Sequence, residues 1–442
     1  MKMLRCLSLC IAVLMMSAGG SYALEMGPID VHGFISQGYL QSTANNYLAK
    51  SEKGSFEYNE AGINFSTNVS DKLRLGLQLM ARDMGDSGNN EVQLDWGFAD
   101  YRWRNELGLR FGKLKMPMGL YNETRDVDML RTWILLPQGV YQEYIRDFIV
   151  ALEGGAIYGT LDAGPAGSFE YSDVLGTIGN MDTSNKSFGA MMVSMMSPYA
   201  MVGETVNAED IRLTGRKFNV ASLIWNTPVE GLRLGGTYMM GRVDFEVPEM
   251  SQTLYTLIGG IPTLVQLDFP ERNAKAILNN PTYSAEYKWK DLTLAAEYME
   301  QKVKMTYDID TPALLTALGL EMPSGTTTQG YYGSAAYRFT DWLELGAYYS
   351  VYYRDKHDKK GEDMVDMATT VANATATSVA VVDHQAWQKD TCVTARFDIN
   401  PAWCIKLEGH HMNGTAQVFD YSSADDLRKI WTLYAAKATF NF

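Results

Sequence analysis

The densest run of chemically capable side chains lies between residues 112 and 147. Glu123, Asp126, Asp128, Glu143 and Asp147 carry negative charge there, with Arg125, Arg131 and Arg146 interleaved. Such groups can pair with one another and pin a loop. They can also face water and set the charge preference of a passage at its narrowest point. The two roles are compatible. The run opens with Gly112, Pro117 and Gly119, residues that let a chain leave a regular element sharply. Catalytic patterns are missing: neither Gly-x-Ser-x-Gly nor His-Glu-x-x-His occurs, and the cysteines lack metal-ligand spacing. The histidines are His32, His357, His384, His410 and His411; the last two adjoin near a strand end, where one must face each way. The expectation is a non-enzyme with no metal and no cofactor.

The elements that must position these charges are bounded first by the N-terminus. Lys2 and Arg5, the apolar stretch Leu7 to Met16 and the small residues of Ser21-Tyr22-Ala23 read as a secretory signal peptide over 1–23, cleaved after Ala23. That leaves a mature chain of about 419 residues and removes Cys6 and Cys10. Cys392 and Cys404 remain, on two arms of one hairpin. Regular pairing sets Cys404 opposite about residue 396, so the thiols stand too far apart along the strands for a disulfide. The formal charge of −14 argues against nucleic-acid binding. It suits external loops that hold divalent cations beside lipopolysaccharide, and equally plain solubility. No stretch after Ala23 reaches eighteen uninterrupted apolar residues. A membrane protein without one must use a closed barrel, because only helices and barrels satisfy every backbone polar group in lipid.

The pattern favours the barrel. In 72–82, Leu73, Leu75, Leu77, Leu79 and Ala81 alternate with Arg74, Gly76, Gln78 and Arg82. Similar alternation fills 343–354 and 389–398, in runs long enough to cross a bilayer when tilted. Short turns rich in Asp, Asn, Gly and Pro alternate with long connections, the two-rimmed construction of outer-membrane barrels. Sixteen strands are expected near 29–41, 56–69, 72–83, 91–102, 107–115, 149–162, 167–176, 217–227, 232–246, 280–289, 292–304, 327–339, 342–354, 387–398, 402–412 and 429–442. Eighteen follow if the Ser187–Met201 region adds a hairpin. The fold class is therefore all-β, a transmembrane antiparallel β-barrel over 24–442. Trp103, Trp225, Tyr283, Tyr287, Trp289, Trp342, Trp387 and Trp403 recur near strand ends and are expected to form interfacial girdles.

Gly112-Lys113-Leu114-Lys115-Met116-Pro117-Met118-Gly119-Leu120-Tyr121-Asn122-Glu123-Thr124-Arg125-Asp126 resembles the third-loop entry of trimeric Gram-negative porins, particularly the phosphate-selective O/P-type group. The motif-level match is confined to 110–126; the architectural likeness runs from Val31 to Phe442. The resemblance implies a homotrimer of sixteen-stranded barrels in the cell outer membrane, each narrowed by a third loop over about 116–148. Alternation ending in Phe440 and Phe442 resembles the signal by which such barrels are delivered to the barrel assembly machinery. On the wall, alternation turns Arg74, Arg82, Arg110, Arg338, Arg354, Arg396 and Lys437 inward, with Glu60, Asp95, Glu286, Glu297, Glu344 and Glu408. A basic strip opposite an acidic loop would orient dipolar solutes. No dense lysine cluster stands among them, so phosphate selectivity is not among the expectations. The expected activity is passive diffusion of small polar or charged solutes. A channel for a hydrophobic or specific organic solute is the alternative, and a barrel enzyme the more distant one. The apolar external segments 190–202, 254–269, 311–322 and 364–382 are expected to fold as short helices or hairpins packed inward, onto one another or against neighbouring subunits.

Overall fold

The computed structural model describes residues 28–85, 88–181, 212–247, 250–258, 261–269, 272–308, 324–375, 381–420 and 424–442. The proposed signal peptide and the segments 190–202 and 311–322 lie outside the described residues.

Sixteen strands form one sheet: β1 (Asp30–Ser42), β2 (Tyr58–Asn68), β3 (Leu73–Met84), β4 (Gln93–Arg104), β5 (Leu107–Lys115), β6 (Ala151–Asp162), β7 (Ser168–Thr177), β8 (Arg212–Asn226), β9 (Leu232–Val247), β10 (Arg272–Trp289), β11 (Leu292–Tyr307), β12 (Gly325–Thr340), β13 (Leu343–Tyr353), β14 (Trp387–Asn400), β15 (Trp403–Gly414) and β16 (Ile430–Asn441). Gly179–Met181 continues the β7 pairing along β8. Each strand pairs antiparallel with its sequence neighbour, and β1 pairs with β16 as well as β2, so the sheet closes. The Ser187–Met201 region lies outside the described residues, and the cylinder closes at sixteen without it.

Closure follows from the alternation. Leu77, Leu345, Val393, Leu407 and Tyr434 are exposed, whereas Gln78, Thr394, Glu408 and Lys437 between or beside them are buried. A surface of exposed Leu, Val and Tyr around a sheet without a free edge is a lipid-facing band. The molecule is thus an outer-membrane β-barrel. Among the described residues no helix is long and apolar enough to cross a membrane. Trp103, Trp289, Trp342 and Trp403 are exposed near strand ends, as a girdle requires, whereas Tyr283 is exposed in the interior of β10. Trp387 is a correction. It is buried although it shares the outward parity of Val393, because Asn413 Oδ1 accepts from its Nε1 at 3.0 Å and Lys429 lies over its ring at the end of β14.

Two strands begin earlier than their patterns suggest: β8 at Arg212 rather than 217, β10 at Arg272 rather than 280. Both extensions pair with β9. Cys404 stands opposite Asp398 rather than 396, and both cysteines are free. Of the apolar external segments, residues 254–258 and 261–269 fall in the paired strands Met250–Ile258 and Ile261–Phe269. Residues 364–375 belong to a helix, α1 (Glu362–Thr375), which lies against that hairpin.

Candidate functional site

Residues 116–150 connect β5 to β6, and their contacts reach nearly around the sheet. The amide of Met116 donates to Val150 O at 2.9 Å, closing the base of the connection. Asn122 Nδ2, wholly buried, donates to Met116 O and Ile149 O, both at 2.9 Å, binding the entry to the exit. Gly119 holds a left-handed φ of 58°, and its Cα faces Tyr141 and Glu297 too closely for a side chain. At Gly139 the backbone presses on the wall: a Cβ built on Gly330 would stand 1.7 Å from Gly139 O.

Four buried networks fasten this connection. In the first, Arg82 Nη1 donates to Glu143 Oε1 at 3.2 Å and Nη2 to Asp147 Oδ2 at 3.0 Å. Arg125 Nη2 donates to Glu143 Oε2 at 2.7 Å. Arg146 reaches Asp95 at 3.0 Å, Asp147 at 3.2 Å and Asp126, which also accepts from Lys115. Four cations thus meet four carboxylates. In the second, Asp128 faces Lys406 at 3.2 Å, Arg131 at 3.2 Å and Lys437 at 3.5 Å, and accepts from Thr439 Oγ1 at 2.7 Å. Lys437 also donates to Glu60 at 2.5 Å, and Arg396 Nη1 donates to Arg131 O at 3.0 Å.

In the third, Glu408 accepts from the amides of Ile134 at 2.7 Å and Leu135 at 3.0 Å. In the fourth, Glu297 accepts from Tyr141, from Tyr332 at 2.8 Å, from Ser284 at 2.5 Å and from the Leu120 amide at 2.9 Å. These wall partners lie on β2 to β5, β10 to β12 and β14 to β16.

The electrostatics follow from this crowding. Burial works against the charge of Glu143, but Arg125, Arg82 and Arg146 outweigh it and hold the carboxyl at about 2. Asp147 is likewise at about 2, burial being overcome by Arg82 and Arg146. Asp126 and Asp128 are buried too, and their cations hold both carboxyls below the usual carboxylate range.

Glu123 stands apart. It is exposed to water, yet enough protein surrounds it that desolvation raises its carboxyl above the ordinary value, against the pull of Arg110 and Lys115 and with a push from Glu170. Seven of the eight acidic and basic residues picked out between 123 and 147 are therefore locked in ion pairs, and Glu123 keeps a free aspect.

The wall residues differ in the same way. Arg82, Arg396 and Lys437 are buried against the connection. Arg74 is exposed. Arg110 pairs with Asp100 at 3.0 Å and lies over the Phe98 and Tyr158 rings. Arg338 bridges Asp398 at 2.7 Å and Glu344 at 2.9 Å. Arg354 donates to Ala416 O at 3.2 Å, beyond the end of its strand. Glu286 pairs with Arg233 and Lys288. Phe440 and Phe442 stack with 6.2 Å between ring centroids, and the Phe442 backbone exchanges hydrogen bonds with Gly33 at 3.0 Å.

Sequence reasoning read the connection by its charges and missed its apolar half. Trp133, Ile134, Leu135 and Leu136 are buried. Ile134 and Leu135 pack with Leu40, Tyr58, Met412 and Leu433, while Trp133 and Leu136 pack with Tyr332 and Tyr348. Met116 and Phe148 pack with Leu152, Val174, Val220 and Met239 on another side. The signal was present: Trp-Ile-Leu-Leu-Pro interrupts a charged run. Lys115, Asn122 and Lys406 were also missed, being single polar residues with nothing local to mark them.

A closed sixteen-stranded antiparallel barrel with a lipid-facing band and a charged inner face defines the class, outer-membrane β-barrels. Three solved structures share the fold. The outer membrane channel DcaP of Acinetobacter baumannii aligns over 96% of this chain and 100% of its own, with a TM-score of 0.51 at 9% identity. The anion-selective porin of Comamonas acidovorans aligns over 94% and 99%, with a TM-score of 0.50 at 10% identity. OmpT, an outer-membrane protein of Vibrio cholerae, aligns over 94% and 97%, with a TM-score of 0.50 at 11% identity. At such identities the likeness concerns the fold. No protein-family model matches the chain. No curated protein matches it in sequence.

Proposed function

We propose that this protein is an outer-membrane porin, a channel through which small polar or charged solutes diffuse passively. In this reading residues 116–150 fold into the barrel, fill most of its cross-section, and leave a passage between Glu123 and the wall residues Arg110 on β5 and Glu170 on β7. The observation that carries it is the division of charge. Seven charged residues of the connection are spent on fastening it, whereas Glu123 faces water near Arg110 and Glu170. A carboxylate opposite a guanidinium across a narrow aqueous gap imposes a transverse field on whatever passes. The fold shared with a channel and a porin supports the reading.

The same reading assigns residues 1–23 to a cleaved signal peptide, the functional unit to a homotrimer, and Phe440 and Phe442 to recognition by the assembly machinery. Lipid and lipopolysaccharide are the surrounding partners, and no catalytic role is assigned. Planar-bilayer recording tests it. Purified protein should give stepwise, long-lived conductance, with a reversal potential across a salt gradient that moves toward anions in Glu123→Gln. A folded protein that inserts without conducting would remove the channel reading. An unchanged reversal potential would remove Glu123 from the passage.

A further inference from the structure

Cys392 on β14 and Glu408 and His410 on β15 are all buried and converge in the wall behind Leu135. Their ligand atoms lie within 4.8 Å of one another. His410 Nε2 is 3.3 Å from Glu408 Oε2 and 3.9 Å from Cys392 Sγ. Ligands of a tetrahedral zinc ion, at about 2.1 Å for nitrogen or oxygen and about 2.3 Å for sulfur, stand roughly 3.4 Å (N to O) and 3.6 Å (N to S) apart. The two His410 separations match that spacing with a shift of a few tenths of an ångström, and Cys392 Sγ and Glu408, within 4.8 Å of each other, would close by up to about 1 Å.

An independent feature points the same way. His410 Nδ1 meets both oxygens of Asp390, at 3.1 and 3.2 Å, and Tyr348 OH donates to Asp390 Oδ2 at 3.0 Å. A carboxylate on one ring nitrogen fixes the imidazole and turns the other nitrogen toward a metal, the usual outer support of zinc-bound histidine. We propose that Cys392, Glu408 and His410 form a zinc site, with Asp390 as the positioning residue for His410. Binding replaces the thiol proton by a sulfur–zinc bond and the proton held between His410 Nε2 and Glu408 Oε2 by bonds from those atoms to zinc, releasing both protons to solvent. A fourth ligand, water or the second carboxylate oxygen, completes the ion. Because Glu408 also accepts from the Ile134 and Leu135 amides, the ion would tie two wall strands to the connection. The inference stands independently of the transport reading.

The test uses the full chain refolded under reducing conditions with zinc chloride or cobalt chloride, with heat-modifiable gel migration selecting folded protein. After passage over a chelating resin, wild type should retain about one zinc per chain, and the cobalt form should show a thiolate-to-metal absorption band. Cys392→Ser should abolish the band; Cys404→Ser and His411→Ala should leave it. Asp390→Asn should weaken affinity roughly 10- to 100-fold. Folded wild type that retains no zinc and gives no cobalt band overturns the site, as does a band that survives Cys392→Ser.

Discussion

At the scale of single residues, the charged connection divides into groups that hold and a group that faces water, and mutation should separate them. Asp128 neutralises Lys406, Lys437 and Arg131 together. In Asp128→Asn those cations lose their main counter-charge in a buried setting, so the variant should lose about 3–5 kcal/mol, read as a lower urea midpoint or a lower temperature for loss of folded migration. Glu123→Gln should leave both unchanged while moving the reversal potential. Acid should separate the same groups. Glu143 and Asp147, held at about 2, contribute stability that is present above their ordinary range near 4 and lost as pH falls through about 2. Glu123 shifts the other way, so its charge disappears first, above the usual carboxylate range. Selectivity should therefore fade at mildly acidic pH, while heat-resistant migration persists until close to pH 2. Simultaneous loss of the two would contradict the division.

At the scale of elements, the strands were legible and the connection only half so. Alternation enforced by lipid on one face and water on the other marks each strand, and all sixteen appear within a few residues of their expected ends. Only the extensions of β8 and β10 escaped. The connection obeys no period. Its charges were visible, but that the Asp126 carboxylate would pair with Lys115 and Arg146 while Lys115 reached only the backbone carbonyl of Glu123 depends on a path through space. The apolar Trp133 to Leu136 packs on residues hundreds of positions away, such as Leu433 and Met412. Where the backbones of Gly139 and Gly330 touch, no side chain fits. Gly330→Leu should therefore push the connection off β12, lowering thermal stability and changing single-channel conductance. Gly236→Ala on β9, with open space at its Cβ position, should do neither.

At the scale of the whole molecule, export and assembly carry the remaining tests. Mass spectrometry of protein from the outer membrane should give an N-terminus at Leu24; a retained leader would refute the cleavage reading. Crosslinking and heat-sensitive migration should report three copies, and a monomer in mild detergent would count against the trimer. The seam between β1 and β16, sealed by the pairing of Gly33 with Phe442, has a kinetic implication. The two strands that complete the cylinder are the farthest apart in the chain, so no shorter piece can shield all its peptide groups from lipid. Every intermediate on the way in carries an open rim on each side. Removing Phe442 alone leaves the pairs from Phe34–Asn441 to Ser42–Leu433 in place, whereas deleting β16 should leave a gap in the ring, and that truncated chain should accumulate unfolded in the periplasm and be degraded.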